Sequence, residues 1–516
     1  MARSAANQLK IGSLLSYVQM FLGVIISLLY TPVMLRLLGK SEYGLYNTVS
    51  STISMLSLLS LGFNSGYIRY YTRYKQNDDT ESIWKLNWLF LIVFIIIGVI
   101  GLLCGIFLSF HLDLVFSYGL TAAEYRLANV LMILLSINLA ISFPMSVFGN
   151  IISANERFVV LKAVGILKTV VGPLVTLPLL LMGYRAVAMV VVTLVLSGIA
   201  DAVYVFYVVR RLHNRFVFHG FEKGLFADLF LYTAFISVNL VVDQINWNVD
   251  KIILGRMKGT GAVAEYSVGY TLFQYYMMFS TSISSVFTPR IHRIVQQTKD
   301  DPAMRRKSIS DLFIKVGRIQ FLLLGLIASG FTFFGSRFIT DFWAGAEYTD
   351  AYHVALLLML PASIALIQNV GIEVQRAQNT HWFRAIVYAG MAALNIAASI
   401  VLCRSYGAVG CAIGTAISLV VANGIIMNFY YHRRCSIDIL LFWKNILRML
   451  PGLAAPVCFG LLLNQCAAFA SGWGYLLGIL LYIVVYGVSV WMLSMNAGEK
   501  ALFSKPVQKA LSLRSK

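Results

Sequence analysis

The sequence predicts an all-α protein that crosses a membrane many times, and its composition is the first reason. Of the 516 residues, 59% are apolar and 12% are charged, whereas soluble globular domains carry about a quarter charged residues. Apolar runs of about 20 residues, the length of a helix that crosses a bilayer, recur along the whole chain. Because these runs lack the alternation of barrel strands, helices are the expected element.

Charged or turn-rich breaks divide the apolar runs into fourteen predicted spans. Six lie in the first half, at 11–36, 43–68, 86–110, 125–150, 160–182 and 186–209. Eight follow, at 226–248, 265–289, 315–337, 351–374, 384–403, 408–431, 444–466 and 473–495.

The basic residues predict the orientation of these spans. Lys and Arg are enriched in the loops that stay on the cytoplasmic side. If the N-terminus is inside, 32 of the 41 Lys and Arg lie on inner segments and nine on outer ones. We therefore expect both termini to be cytoplasmic and no cleaved signal peptide to precede the first span. Because the basic residues are concentrated in the predicted inner loops, membrane insertion accounts for the net charge of +19, and nucleic acid is not an expected partner.

The sequence carries no recognisable catalytic or metal-binding motif. The six cysteines lie in or beside predicted spans without metal-ligand spacing, and we interpret them as packing residues. No Walker A sequence, His-rich cluster or nucleophile elbow is found, and the predicted outer segments are short. The protein is therefore not expected to be an enzyme or to need a metal or another cofactor.

Two matches at nearly one offset indicate an internal repeat of six helices. The junction of spans five and six, from Tyr184 to Arg211, resembles residues 406–433 at an offset of 222. Glu42 and Tyr43 recur as Glu265 and Tyr266 at an offset of 223. We therefore predict lobes at 1–215 and 216–435, followed by an appendix of two spans and a basic tail at 436–516. Both lobes begin inside, an arrangement that in transporters places the substrate between them.

One segment resembles a known family. Tyr30-Thr31-Pro32 followed by LRLLGKSEYGLY at 35–46 resembles the opening of bacterial polysaccharide flippases, and DKIILG at 250–255 resembles their seventh helix. These proteins belong to an exporter superfamily that also holds multidrug extruders and lipid II flippases.

The resemblance implies an activity and a location. It implies two lobes around a central cavity that opens alternately to each side, in the bacterial inner membrane. The implied cargo is an undecaprenyl-diphosphate-linked oligosaccharide, moved from the cytoplasmic to the outer leaflet, with a gradient of H+ or Na+ as the drive. A polysaccharide polymerase is a further partner that this role admits.

Acidic residues within the predicted spans are candidates for ion coupling. Asn239, Asp243, Asn246 and Asp250 are spaced by four, three and four, so they share one face of span seven. A carboxylate deep in a bilayer is costly and normally faces a cavity or a partner, which makes Asp243 the first candidate. Each acidic residue also has a structural alternative. Asp243 could form a salt bridge or a helix-packing hydrogen bond, Asp250 could anchor a loop, and Asp201 could serve in packing.

Basic residues near the inner ends of spans are candidates for binding a diphosphate, because cationic side chains make charge-assisted bonds to phosphate. The alternative for each is an anchor at the membrane interface. The candidates are Arg69, Arg73, Lys168, Arg290 and Arg293.

Further polar residues are candidates for lining the cavity. The alternatives are helix packing for the small and hydroxyl residues and an interfacial belt for the aromatic ones. Besides Asn239 and Asn246, these candidates are Gln19, Ser27, Tyr30, Asn47, Tyr270 and Gln274. Pro32, near the end of span one, is a candidate hinge.

Two other functions fit the same topology. A multidrug extruder would exchange amphipathic cations for sodium or protons, and the basic inner mouth argues against such a cargo. A lipid II flippase would also carry a polyprenyl diphosphate, so these residues do not separate it from a flippase for polysaccharide repeat units.

Overall fold

The structure is a computed structural model of the chain. It describes residues 2–60, 62–117, 119–218, 233, 241–242, 244–378, 380, 382–466, 469, 472–502 and 504, with the backbone alone at 2–7, 9 and 10. Every regular element in these ranges is a helix, and none of the described residues belongs to a strand. The predicted all-α class is therefore confirmed.

The helices follow the predicted apolar runs. Those of the first half are α1 (Ala2–Leu38), α2 (Lys40–Leu56), α3 (Phe63–Gln76), α4 (Thr80–Phe110), α5 (Ala122–Ala154), α6 (Phe158–Leu181) and α7 (Arg185–Arg210). Those of the second half are α8 (described over 244–257), α9 (Thr260–Gln297), α10 (Pro302–Arg337), α11 (Thr349–Leu366), α12 (Val370–Ala377), α13 (Trp382–Leu419), α14 (Met427–Arg434), α15 (Ile439–Leu447), α16 (Pro451–Gln465) and α17 (Gly472–Leu493).

Many of these helices are long and apolar enough to cross a membrane. Nine pass this test within the described residues, and the bent pair α15 and α16, which meet at 42°, gives a tenth. One of the nine, Trp382–Arg434, contains predicted spans eleven and twelve, separated by Gly407 with φ 54°. Predicted span seven lies mostly outside the described residues. The protein is a multi-pass membrane protein, and the count of fourteen stays a prediction.

Three spans that we predicted as continuous are broken, so those predictions were wrong. In the run at 43–68, α2 ends at Leu56, and α3 begins after Gly62, which has φ 67°. In the run at 351–374, α11 ends at Leu366 and α12 begins at Val370. The run at 444–466 breaks between Leu447, where α15 ends, and Pro451, where α16 begins. Apolar composition sets the length of a membrane segment but carries no signal for a local backbone break, which depends on neighbours distant in sequence.

The chain forms two compact units. The first comprises Met1–Ser267, Trp343–Glu347 and Ser399–Cys411, and the second comprises Val268–Phe342, Tyr348–Ala398 and Ala412–Lys516. The lobe boundaries after 215 and 435 stay a prediction.

Each unit has an aromatic core. In the first unit, Phe63 and Tyr67 of α3 pack against Phe90 and Phe94 of α4 and against Phe143 of α5.

In the second unit, Phe334 of α10 packs against Leu463, Tyr475 and Tyr482 of α16 and α17. The hydroxyl of Tyr475 donates to the carbonyl oxygen of Phe334 at 2.8 Å. The last two helices, which have no predicted repeat mate, are thus packed on α10 by a buried core.

Candidate functional site

The junction of α1 and α2 places Lys40 against the second half of the chain. Gly39 lies between the helices with φ 78°, a conformation that glycine adopts without strain, so Lys40 begins α2. The ammonium of Lys40 donates to the carboxylate of Glu265 in α9 and, at 2.6 Å, to the carbonyl oxygen of Glu347. One side chain therefore joins three segments of the first unit.

Small residues bring the same helices into close contact. The hydroxyls of Ser41 and Thr260 are 2.8 Å apart, and Ser41 also donates to the carboxylate of Glu124. A Cβ added to Gly44 would lie 1.8 Å from the carbonyl oxygen of Thr260, so only glycine fits there. We call Lys40, Ser41, Thr260, Glu265 and Glu347 the Lys40 cluster, and it closes α2 against α9.

Glu42 anchors α2 to α7. It is 7% exposed, and its carboxylate accepts the backbone N–H of Ala186 at 2.7 Å and the guanidinium of Arg185 at 3.3 Å. A carboxylate at a helix N-terminus meets unpaired N–H groups and the positive end of the helix dipole. Sequence reasoning used Glu42 as a repeat signal and missed this contact, because its partner lies 144 positions away.

Asp250 is buried between three helices. It is 1% exposed, and its two oxygens accept the hydroxyls of Tyr266 at 2.7 Å and Ser399 at 2.9 Å. It interacts electrostatically with its neighbour Lys251. Asp250 therefore lies inside the packed helices, and the choice between a cavity residue and a loop anchor stays a prediction.

Of the other three residues on the predicted polar face of span seven, the structure describes only one. Asn239 and Asp243 lie outside the described residues. Asn246 is half-buried, one turn before Asp250 on α8. The role of this face stays a prediction.

Two residues predicted separately, Lys168 and Asp201, are neighbours. The ammonium of Lys168 on α6 donates to the hydroxyl of Ser197 on α7 at 3.0 Å, and its charge interacts with the carboxylate of Asp201 one turn further along α7. Both side chains are half-buried. This places a cation and an anion together among the first-half helices, although nothing in the sequence links them.

The polar side chains of α1 face α6. A Cβ on Gly165 would lie 2.7 Å from the amide nitrogen of Gln19, and Tyr30 hydrogen-bonds Thr176. The hydroxyl of Ser27 lies 3.4 Å from that of Thr31 on its own helix. These contacts favour the packing alternative for this part of the predicted cavity.

The other predicted polar residues lie on α2 and α9, and the candidate hinge lies on α1. Asn47 donates to the carbonyl oxygen of Tyr43 at 2.9 Å, and Pro32 lies inside the unbroken helix α1. Tyr270 is buried, and Gln274 is exposed one turn further along α9.

The predicted basic residues separate into two places. Arg69 and Arg73 are exposed, one turn apart on α3. Arg290 and Arg293, at the end of α9, line a cavity of about 730 Å³ that faces the start of α10. Lys315 of α10 lines the same cavity, with Asp311 one turn before it. We call this the first basic cavity; Lys315 was not among the residues predicted to bind a diphosphate.

Comparison with known proteins identifies the relatives of this chain. An uncharacterized membrane protein, EpsK, of Bacillus subtilis (strain 168) is 21% identical over 438 residues, which is 83% of each chain. The lipid II flippase MurJ in an inward closed conformation has a TM-score of 0.67 at 15% identity, over 96% of this chain and 99% of MurJ. An inward-facing multidrug resistance MATE family transporter has a TM-score of 0.58 at 15% identity, over 81% of this chain and 99% of its own. These structures share the fold.

The family model for polysaccharide biosynthesis proteins matches residues 10–295, more than half of the chain, and this segment contains both motifs that carried the resemblance. The resemblance is therefore confirmed, and this chain belongs to the polysaccharide biosynthesis protein family.

Proposed function

We propose that this protein is a flippase that moves undecaprenyl-diphosphate-linked oligosaccharide repeat units from the cytoplasmic to the outer leaflet by alternating access. Family membership supports a cargo used in polysaccharide synthesis. The observation that carries the proposal is the first basic cavity, where Arg290, Arg293 and Lys315 converge. Guanidinium and ammonium groups are the partners that a diphosphate prefers.

The two ends of α9 have the properties that alternating access requires. Glu265, in the Lys40 cluster, and Arg290, in the first basic cavity, are 25 residues apart, or about 38 Å at 1.5 Å per residue. This exceeds the roughly 30 Å thickness of a bilayer core. Under the predicted topology, the basic cavity lies at the cytoplasmic face and the Lys40 cluster at the outer face of the inner membrane.

The transport cycle needs a source of energy. We infer coupling to a gradient of H+ or Na+, with Asp250 and Asp243 as the carboxylates that bind the ion. A buried carboxylate that accepts two hydroxyl donors is able to exchange a proton or hold a cation when those hydroxyls turn. Asp201 lies beside Lys168, so we assign Asp201 to positioning that lysine and not to binding the ion.

Uptake of a short-chain lipid-diphosphate-oligosaccharide into proteoliposomes tests the proposal. The wild type is compared with Arg290→Gln/Arg293→Gln and with the control Arg306→Gln/Lys307→Gln, which removes two charges from exposed positions outside the cavity. We expect the first variant to lose about tenfold or more of the flipping rate and the control to retain it. Export of organic cations without lipid movement would identify an extruder, and a preference for a peptide-bearing lipid would identify a lipid II flippase.

A further inference from the structure

A second basic cavity, of about 550 Å³, lies on the other side of the end of α9. Its cationic lining residues are Lys299, just after α9, Arg305 in the first turns of α10, and Arg434 at the end of α14. Along α9, His292 and Gln296 face this cavity, whereas Arg290 and Arg293 face the first. No residue lines both cavities, and at 3.6 residues per turn the mean directions of the two pairs differ by about 110°, so the cavities open on different faces of α9.

The charge in this second cavity is not balanced by its own lining. None of the described residues that line it is acidic, in contrast to the first basic cavity, where Asp311 accompanies the cations. Three cations drawn from three segments repel one another unless an anion is bound among them. Thr380, Ser436 and Gln378 add hydroxyl and amide donors to the same lining. Such a mixed set of cationic and neutral donors is suited to the oxygens of a phosphate.

The C-terminal end of α9 does not repel an anion bound in the second basic cavity. The last carbonyls of a helix carry partial negative charge and would repel phosphate. Here the guanidinium of Arg305 lies against the two carbonyls that follow the end of α9, donating twice to the carbonyl oxygen of Thr298 at 3.0 and 3.1 Å and once to that of Lys299. Arg305 thus neutralises the end of α9, which leaves Lys299 and Arg434 to bind the ligand.

We propose that the second basic cavity binds a phosphate-bearing anion that is distinct from the transported cargo. The volume is within the range of small-molecule sites and exceeds what a single water-sized ion needs. Two sources supply the same chemistry: the headgroup of an anionic phospholipid in the adjacent leaflet, or a soluble diphosphate. Occupancy by either would tie together the ends of α9 and α14 and the start of α10.

Thermal unfolding of the full chain tests this site with inorganic pyrophosphate as the soluble probe. The measurement uses an Arg290→Gln/Arg293→Gln background, so that the first basic cavity does not contribute. In this background, Lys299→Gln/Arg434→Gln is compared with Lys307→Gln/Arg433→Gln, which removes the same charges from exposed neighbours that line neither cavity. Arg305 is kept because it caps α9. If the double variant fails to fold, Arg434→Gln alone takes its place, since Arg434 is exposed.

We expect pyrophosphate to raise the unfolding midpoint of the control. In Lys299→Gln/Arg434→Gln, the apparent dissociation constant of pyrophosphate should be about tenfold or more higher than in the control. The second arm uses nanodiscs of phosphatidylcholine with and without phosphatidylglycerol. Protection by phosphatidylglycerol alone, lost in the same variant, identifies a lipid headgroup as the ligand. Protection by neither probe, or equal protection of both variants, overturns the proposal. Because flipping is measured with other variants, this result is independent of the proposed transport.

Discussion

Lys40 donates a hydrogen bond to the carboxylate of Glu265, although 225 positions separate the two residues in the chain. Lys40 begins α2, and Glu265 lies in α9, the helix that the repeat makes equivalent to α2. Their side chains are 26% and 16% exposed, so the pair is partly shielded from solvent and its attraction is less screened than at an open surface. If the predicted repeat is correct, this ion pair joins corresponding elements of its two copies.

Replacing Lys40 by Met should open this contact. The loss of a hydrogen bond between charged groups costs about 1.5–3 kcal/mol, which lowers the ratio of closed to open molecules about tenfold to a hundredfold. Ser41→Cys and Thr260→Cys report closure through a short thiol cross-linker, with the exposed Cys458 and Cys466 replaced by Ser. We expect a lower cross-linking yield with Lys40→Met.

Lys85→Met is the matched control for this measurement. Lys85 pairs with Glu81 four residues earlier on α4, so its loss breaks an ion pair without separating two helices. A yield that fell equally in both variants would mean that the Lys40 cluster does not hold the closed state.

Gly44→Ala should destabilise the protein. Alanine in place of glycine inside a helix usually stabilises by roughly 0.5–1 kcal/mol. At Gly44 the new Cβ would lie 1.8 Å from the carbonyl oxygen of Thr260, so the helices must separate, at a cost of about 1–3 kcal/mol. Gly198→Ala on α7, where no atom lies within 4 Å of the added Cβ, is the control. We expect thermal unfolding to show a lower midpoint than the wild type for Gly44→Ala but not for Gly198→Ala. Equal midpoints in the two variants would contradict the close contact.

Sequence predicted the extent of several helices well. The predicted run 125–150 falls within α5 (Ala122–Ala154), and 186–209 falls within α7 (Arg185–Arg210). These ends carry local signals, such as the Thr121 and Glu124 capping box before α5.

The repeat register shows where sequence alone was insufficient. Besides the two matches described above, the sequence allows Leu38-Gly39 to be paired with Leu254-Gly255, and this pairing sets Tyr30 opposite Asn246. In the structure Gly255 is helical, and the glycine of positive φ before α9 is Gly259, which corresponds to Gly39 before α2. This register sets Tyr30 opposite Asp250 instead. Backbone conformation favours this second register, which a sequence match between glycines does not reveal, and the equivalence of the two helices stays a prediction.

Arg318 is a buried residue, and nothing in the sequence indicates its burial. Its guanidinium is bidentate to Glu499, at 2.5 and 2.8 Å, with both side chains less than 9% exposed. It also donates to the carbonyl oxygens of Ser494 at 2.8 Å and Asn445 at 3.2 Å. The partner lies 181 positions later, beyond the last predicted span.

Arg318→Met should cost about 3–5 kcal/mol of stability, because it leaves the carboxylate of Glu499 buried without a counter-charge. Arg376→Met is the control: its pair with Glu373 is within one helix and Arg376 is 62% exposed, so we expect about 0–1 kcal/mol. The double variant Arg318→Met/Glu499→Leu should lose less than the sum of the single losses. Chemical unfolding in detergent measures these three variants and Glu499→Leu alone, and additive losses would show that the two side chains do not interact energetically.

Asp250→Asn should separate the structural role of this residue from its coupling role. Asparagine has the shape of aspartate, and the hydroxyls of Tyr266 and Ser399 are able to turn and accept its amide hydrogens, so the fold should survive. The negative charge is lost, and with it the ability to take up a proton or attract a cation. We expect flipping driven by an imposed pH or sodium gradient to fall about tenfold or more, while the unfolding midpoint stays close to that of the wild type.

Asp113→Asn, an exposed substitution of the same kind, controls for the change in net charge. Tyr266→Phe removes one donor and keeps the carboxylate, so it should retain the gradient response with a smaller change in rate. If Asp250→Asn kept the full response but lowered the unfolding midpoint, Asp250 would be a packing anchor. The coupling carboxylate would then have to be sought at Asp243, two turns earlier on the same face of span seven.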